Sequence, residues 1–487
     1  MTSIEGVFSL VRSMTKSEKR YFRMMAEMQK GEKSYVTLFD QLDKHDVLDD
    51  TLIADIRQHF PGYTVEPARK HLYRVLMKSL RQFDSEKDIE TRLSNLLQDS
   101  RLLHKKGLLK SSFEQLEKAK ALALQREKFI YFILAARQEL QYLVRTQFAG
   151  IDEYQLIEKQ KKLSTLLEQQ NRIQQHSILY EILLLRYWKN GVVRSQQEVT
   201  RLNDLLLEEY QLLNSPGDKP FELQQLHLHF QSIYFQMTGN PQGSLSVFYE
   251  LDELFQKNES LWKDAPIYYF YLLDGVLYDL RLMERYENMT YFLDRLKVMR
   301  AEGEELALVV KYRILEHELN RFVDQKLYDQ AKKLLKVYEP SWKRESSLLP
   351  FHMHAQVLFS VVRVFVGGKD YSSALRLINT ALNQPAGSMN PPQQIAFQLL
   401  NLMVNALLKN TDYLYYALRS LERKLKSERK LFGVEHLIMT FLKKQMAVRS
   451  MPDFEQQLHA LSGNPFEYQL IKELSVQEWY SRMVHKI

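Results

Sequence analysis

The sequence predicts an all-α chain: a superhelical array of antiparallel helical hairpins preceded by a separate helical segment. Three observations lead there. From about residue 109 onward a short pattern recurs about every 43 residues. A bulky residue at a turn is followed by a small residue three positions on, then by apolar residues four and seven later, as in Tyr371-x-x-Ala374-x-x-x-Ile378-x-x-Ala381. A period of roughly 20–50 residues marks stacked supersecondary units, not one closed globule. Second, only 16 Gly and 13 Pro occur in 487 residues, well below shares of roughly 7% and 5%, so few breakers interrupt a helix. Third, 45% hydrophobic and 26% charged residues suit a folded chain, and an array can lengthen without enlarging any single core.

Residues 1–88 stand outside the repeat and read as short helices. Ser3 caps the first, ahead of Val7, Phe8 and Leu10. Thr15 stands three before Glu18, the spacing of a capping box, and precedes Tyr21, Phe22, Met24 and Met25. A third helix covers Tyr35 to Lys44. A fourth runs from Asp49 to His59 and stops near Pro61-Gly62. The last starts near Pro67, a favoured first helical position, and reaches Phe83.

The array occupies residues 89–450. Its aligned small or apolar positions are Ser112, Ile157, Val199, Ser244, Met289, Ala331, Ala374 and Ala417, with gaps of 45, 42, 45, 45, 42, 43 and 43. This spacing gives about eight hairpins, and the array is expected to be right-handed and superhelical. One unit reads in full: Pro350 opens a helix with Leu358, Val361, Val362 and Phe365, and Gly367-Gly368-Lys369-Asp370 breaks it. A second helix runs from Tyr371 to Asn383 and ends at Gln384-Pro385-Ala386-Gly387. Asn390-Pro391-Pro392 opens the next unit. The preceding unit passes through Leu315 and Leu319, turns at Asp324-Gln325-Lys326, and runs from Tyr328 to a stop near Pro340. A small residue facing the partner helix permits close approach, and the apolar stripe is covered by the next hairpin. Residues 451–487 form a terminal cap. Asn464-Pro465 opens one helix, Ser475 caps another, and Gln477, Glu478, Arg482 and Lys486 supply its polar face.

The segments Gly107-Leu108-Leu109-Lys110-Ser111-Ser112-Phe113 and Lys369-Asp370-Tyr371-Ser372-Ser373-Ala374 resemble the start of the second helix in the tetratricopeptide repeat. The resemblance covers about three quarters of the chain and implies a TPR-like solenoid that binds protein or peptide. The Trp and Leu-Gly of that family's first helix are mostly missing. The period exceeds the family's 34 by about nine residues, roughly one more turn per helix. Leu10 to Phe22 (LVRSMTKSEKRYF) is also similar to an uncharacterised bacterial group that joins such a segment to helical repeats.

The sequence offers no sign of catalysis. Absence of cysteine excludes thiolate zinc sites, disulfides and thiol nucleophiles, and suits a cytoplasmic protein. Residues 1–14 lack the basic and apolar regions of a signal peptide, and the apolar runs fall short of the roughly 20 residues of a membrane span. His317-Glu318-Leu319-Asn320-Arg321 begins like a zinc-protease helix but has Arg321 where the second His belongs, so it reads as a solvated face. The pairs His227/His229 and His352/His354 point to different sides of a helix. Gly367-Gly368-Lys369 lacks phosphate-loop spacing and reads as a turn. No cofactor or metal is expected.

Basic clusters supply the candidate partner-binding positions. Lys70, Arg74, Lys78 and Arg81 share one face, with Arg12, Lys16, Lys19, Arg20 and Arg23 earlier. A third cluster lies later and holds Arg419, Arg423 and Lys426 with Lys424, Arg429 and Lys430. Residues 1–84 nonetheless hold 14 basic and 12 acidic side chains, so a merely solvated face is the default. The rings of Tyr268-Tyr269-Phe270-Tyr271 and Tyr415-Tyr416 cannot all face one way; core packing is their default, a concave binding wall the alternative.

The function these readings favour is a non-enzymatic, protein- or peptide-binding scaffold or regulator. The alternative is a nucleic-acid-associated regulator, with residues 1–88 binding and the repeats sensing. A helical-repeat enzyme would require a pocket of ionisable groups with displaced pKa values.

Overall fold

The computed structural model describes residues 3–28, 33–45, 47–60, 65–83, 88–214, 217, 219–301, 303–385, 387–428 and 430–485. Among them there is no strand. The chain divides into two compact units, residues 1–167 and 168–487.

The first unit opens with α1 (Ile4–Ser13), α2 (Lys16–Glu27), α3 (Ser34–Lys44), α4 (Asp50–His59) and α5 (Val65–Phe83). Ser3 caps α1 by accepting from the Gly6 amide, and Thr15 with Glu18 forms the expected capping box. Val7, Phe22, Leu38, Leu42, Leu52 and Leu72 are fully buried in a shared core. The Pro61-Gly62 stop lies outside the described residues. Three longer helices follow: α6 (Ile89–Lys105), α7 (Leu109–Gln125) and α8 (Phe129–Arg145). Between α6 and α7 the chain turns at Gly107, where φ is +76°. Ser112 is fully buried, and its hydroxyl donates to the Ser100 carbonyl at 2.8 Å. The small side chain thus lets two backbones meet.

Next comes α9 (Glu153–Asn190), 38 residues long, which crosses from the first unit into the second. Two expected repeat positions are overturned in α9 and the short helix after it. Ile157 lies within α9, 54% exposed, because the segment contains no Gly or Pro to break a hairpin. Val199 belongs to α10 (Gln196–Thr200), a single short turn of helix.

Regular pairing resumes after α11 (Asn203–Leu213). The second unit continues with α12 (Phe221–Met237), α13 (Pro241–Lys257), α14 (Glu259–Trp262), α15 (Ile267–Leu282) and α16 (Tyr286–Val298). Then come α17 (Gly303–Asp324), α18 (Tyr328–Glu345), a 3-10 turn at Ser346–Leu348, α19 (Phe351–Gly367) and α20 (Tyr371–Leu382). Last are α21 (Pro391–Leu407), α22 (Thr411–Ser427), α23 (Gly433–Met446), α24 (Phe454–Ser462), α25 (Pro465–Leu474) and α26 (Val476–His485). Hairpin partners are α12 and α13, α15 and α16, α17 and α18, α19 and α20, α21 and α22.

The fourth residue of the second helix is buried in each hairpin: Ser244, Met289, Ala331, Ala374 and, in the last, Leu414. The expected Ala417 is only half-buried, because α22 begins at Thr411. Pro340 does not stop its helix; it sits inside α18. The hairpin turns repeat one backbone device, a left-handed residue at Gly239, Glu284, Lys326, Lys369 and Lys409, with φ from 59° to 73°. Gly367-Gly368-Lys369 is accordingly a turn. Gly367 must be glycine for packing, since any side chain there would strike the Tyr328 ring of the preceding hairpin. Ala386, Arg429 and Lys486 lie outside the described residues.

Candidate functional site

The first helices of the second unit carry polar side chains on one face. Asp274, Tyr278 and Arg281 stand on α15; Arg313, His317, Asn320 and Asp324 on α17; Gln356, Ser360 and Arg363 on α19. Spacings of three or four residues align each set along its helix. Equivalent positions then meet across the repeat, with partners 43 residues apart. Gln236 Nε2 donates to Asp279 Oδ1 at 3.1 Å, and His317 Nε2 lies 2.7 Å from Asp274 Oδ1. Arg281 Nε reaches Asp324 at 2.7 Å, Arg313 reaches Gln356 at 3.1 Å, and Arg363 reaches Asn320 at 2.7 Å. Two partners 39 residues apart, one helical turn less, close the lattice: Arg313 on Asp274 at 2.8 Å and Arg363 on Asp324 at 2.6 Å. The sequence period therefore reappears as a ladder of hydrogen bonds and ion pairs.

Electrostatics follow from who has a partner. Burial pushes the Asp274 carboxyl up, but Arg313 and His317 outweigh it and hold it at about 2. Burial acts on Asp324 likewise, and Arg281 with Arg363 hold it at about 2. Asp279 is fully buried, and the neighbouring Ser244 and Gln236 side chains offset little of the cost, so burial lifts it to about 8. Beyond the ladder, Arg194 is bidentate to Glu435 at 2.9 and 3.0 Å and also bonds Glu467. Burial raises Glu435 despite that pairing. Glu467 in turn accepts the Gly433 and Val434 amides at 3.1 Å, a carboxylate at the positive end of α23.

These stripes surround a cavity of about 790 Å³. Tyr180, Tyr187 and Trp188 of α9 and Phe270 and Tyr271 of α15 give it aromatic wall; Phe466, Gln469 and Glu473 of α25 close one side. The aromatic run 268–271 thus divides: Tyr269 and Phe270 are buried, while Tyr271 is 44% exposed toward the cavity. Tyr415 and Tyr416 are 55% and 73% exposed, so they pack in no core.

No protein-family model, curated protein or solved structure matches the chain.

Helices α25 and α26 supply donors to backbone carbonyls of other helices. Tyr468 Oη donates to the Leu282 carbonyl at 3.1 Å, Trp479 Nε1 to Met403 at 3.0 Å, and Arg482 to Gly367 at 2.8 Å. Leu282 and Gly367 end α15 and α19, where carbonyls lack helical partners. Glu478 accepts the Tyr328 hydroxyl at 2.6 Å. The outward polar face expected for Glu478 and Arg482 is therefore turned inward; Gln477 alone of the described members is exposed. Asn464 caps α25 as expected. Ser475 adopts φ +50° between the two helices, and its Oγ receives an Arg363 bond at 3.3 Å.

Lys70, Arg74, Lys78 and Arg81 are all exposed on one face of α5. Lys70 pairs with Glu66 at 2.8 Å, and Arg74 lies 2.8 Å from the His71 ring. Arg419, Arg423 and Lys426 are exposed together on α22, with Lys426 3.0 Å from Glu422. None of these seven lines the cavity. His317 is not on a solvated face: it is 3% exposed. His229 is also buried, which pushes its ring down to about 3, and His227 is bonded to Glu209. Sequence reasoning missed Asp274, Arg281, Arg313, Asp324 and Arg363. Opposite charges 39 or 43 residues apart on successive first helices would have found them.

No helix among the described residues is long and apolar enough to cross a membrane.

Proposed function

We propose that the chain is a TPR-like, non-enzymatic binding protein whose repeats take a protein segment or peptide into the cavity of the second unit. The observation that carries this reading is a cavity of about 790 Å³ walled by a polar lattice of ion pairs and hydrogen bonds. Pockets of roughly 300–1,000 Å³ with a few convergent polar groups suit a bound ligand. Displaced pKa values would also suit an enzyme. Against that, Asp274, Asp324 and Glu435 have their charges bonded to arginine.

The test is crosslinking in cells with an Ile233→Trp variant, which narrows the cavity from α12. A stoichiometric protein partner lost by at least about tenfold in the variant supports the reading. A partner retained by Ile233→Trp but lost on Tyr416→Ala moves binding to the exposed α22 surface and refutes it.

The second reading, nucleic-acid association through residues 1–88, is favoured by one observation: four basic side chains exposed together on α5. Gel shifts at two salt concentrations decide it, since phosphate binding weakens steeply with salt.

A further inference from the structure

The cavity's four arginines already have partners, while Lys430 also lines it, with no ion pair among the described residues. Arg194 is held by Glu435 and Glu467, Arg313 by Asp274 and Glu316, and Arg281 and Arg363 share Asp324. An anionic ligand seated on these arginines would have to break one of these pairs. Glu473 differs. It lines the cavity from α25, half-buried, and its one bond is a 3.0 Å hydrogen bond from the uncharged Gln469 of its own helix. Among the described residues no lysine or arginine is within ion-pair distance of it. The positive charges it feels at longer range, Arg281 and Arg363, are those bonded to Asp324.

Two phenols stand in the same electrostatic neighbourhood. Burial and then the Glu473 charge raise Tyr187, to about 12, and Tyr278 well above the ordinary range, so both keep their protons. The Tyr278 hydroxyl is shut off from water and has no hydrogen-bond partner. A buried hydroxyl left without a partner costs stability on the order of 1–3 kcal/mol, and a ligand group can satisfy it. Tyr271 and Trp188 offer ring faces on the same wall, where an alkyl stem packs and a cation is attracted.

We infer that the cavity recognises a protonated amine or guanidinium on a flexible apolar stem, with Glu473 as its counter-charge and the Tyr187 and Tyr278 hydroxyls completing its seat. A lysine or arginine side chain of a bound peptide and a free polyamine share this chemistry. The peptide source rests on the binding function proposed above.

The experiment titrates the full chain with capped tri-lysine, its side-chain-acetylated form, capped tri-glutamate and spermidine, reading Trp fluorescence and heat, alongside an array of random peptides. Expected is saturable binding of tri-lysine, at least tenfold weaker for the acetylated form and for Glu473→Gln, with no binding of tri-glutamate. Tyr278→Phe weakens binding at least threefold and, as a folded second variant by circular dichroism, keeps the test valid if Glu473→Gln fails to fold. Spermidine binding at equal strength assigns the site to a free polyamine; a clear preference for tri-lysine assigns it to peptide. Binding of tri-glutamate, indifference to acetylation, or no binding by tri-lysine and spermidine alike overturns the charge assignment. Array peptides captured without a basic preference leave the peptide function standing while removing this inference. An array without captures, beside a spermidine response, does the reverse.

Discussion

Each unit buries a carboxylate between two cations, and the two arrangements differ in kind. In the first unit Glu139 of α8 accepts from Lys120 of α7 and Lys159 of α9 at 2.5 and 2.8 Å. In the second, Asp324 of α17 lies between Arg281 of α15 and Arg363 of α19 at 2.7 and 2.6 Å. The lysine side chains are 10% and 31% exposed, the arginines 6% and 3%. A lysine carries its charge on a flexible stem and can swing toward water; a buried guanidinium is held in a fixed fork. Burial pushes Glu139 up, but the lysines bring it below the ordinary range. The same one-acid, two-base chemistry thus seals three helices in one unit and builds the wall of a cavity in the other.

The largest expected effect tests that contrast. Asp324→Ala leaves two guanidiniums buried without a counter-charge and is expected to cost about 3–5 kcal/mol. Glu139→Ala leaves lysines that can rehydrate, and about 1–2 kcal/mol is expected. Urea unfolding followed by Trp fluorescence measures the first, because Trp188, Trp262, Trp342 and Trp479 all belong to the second unit. Hydrogen exchange over α7 and α8 measures the second. Equal costs would erase the distinction.

Asp279 is the carboxylate in neither class: fully buried, with no cation. Its folded value of about 8 lies above its unfolded value, so the folded state binds more protons between about pH 4 and 8. Stability must then fall as pH rises through that window. Asp279→Asn removes the titration and is expected to add on the order of 2 kcal/mol at pH 8 and little at pH 4. Parallel pH profiles for the two proteins would show that Asp279 is not the source.

The turns sharpen the comparison at a smaller scale. The α6–α7 turn places Gly107 at φ +76°, whereas the α19–α20 turn places Lys369 at +63°. A side chain in this region costs roughly 1 kcal/mol, a cost glycine does not carry. Lys369→Gly is expected to stabilise by up to about 1 kcal/mol, and Gly107→Lys to destabilise by about as much. Thermal unfolding of both variants checks the pair; shifts of the same sign would mean that side-chain contacts, not backbone, govern these turns.

These contrasts track what was legible in the sequence. Local chemistry could be read: the capping box at Thr15 and Glu18, the Asn390 cap and the buried Ser112, Ala331 and Ala374 are signals within a few residues. Ile157 could not be read, because α9 contains no breaker, and Val199, in the short α10, was placed mainly by the period. The cavity was hidden for a different reason. Each arm of its lattice joins residues 39 or 43 apart, and the Tyr328–Glu478 bond joins residues 150 apart. A hydrophobic pattern reports which side of a helix is covered, and says nothing of a polar stripe covered by another polar stripe.

The exposed basic face of α5 gives the smallest stability effect and isolates function from fold. Lys78 and Arg81 are exposed, so Lys78→Ala with Arg81→Ala is expected to change stability by less than about 0.5 kcal/mol. If that face binds nucleic acid, the double variant must weaken the low-salt gel shift and flatten its salt dependence, since two phosphate contacts are lost. The cavity variants would leave the shift unchanged. If instead the face is only solvated, wild type and variant are alike at low salt, and recognition is left to the second unit, where Ile233→Trp acts. A protein whose partner is lost through both sets of substitutions would have to bind through both units, and the division of labour drawn from Glu139 and Asp324 would fail.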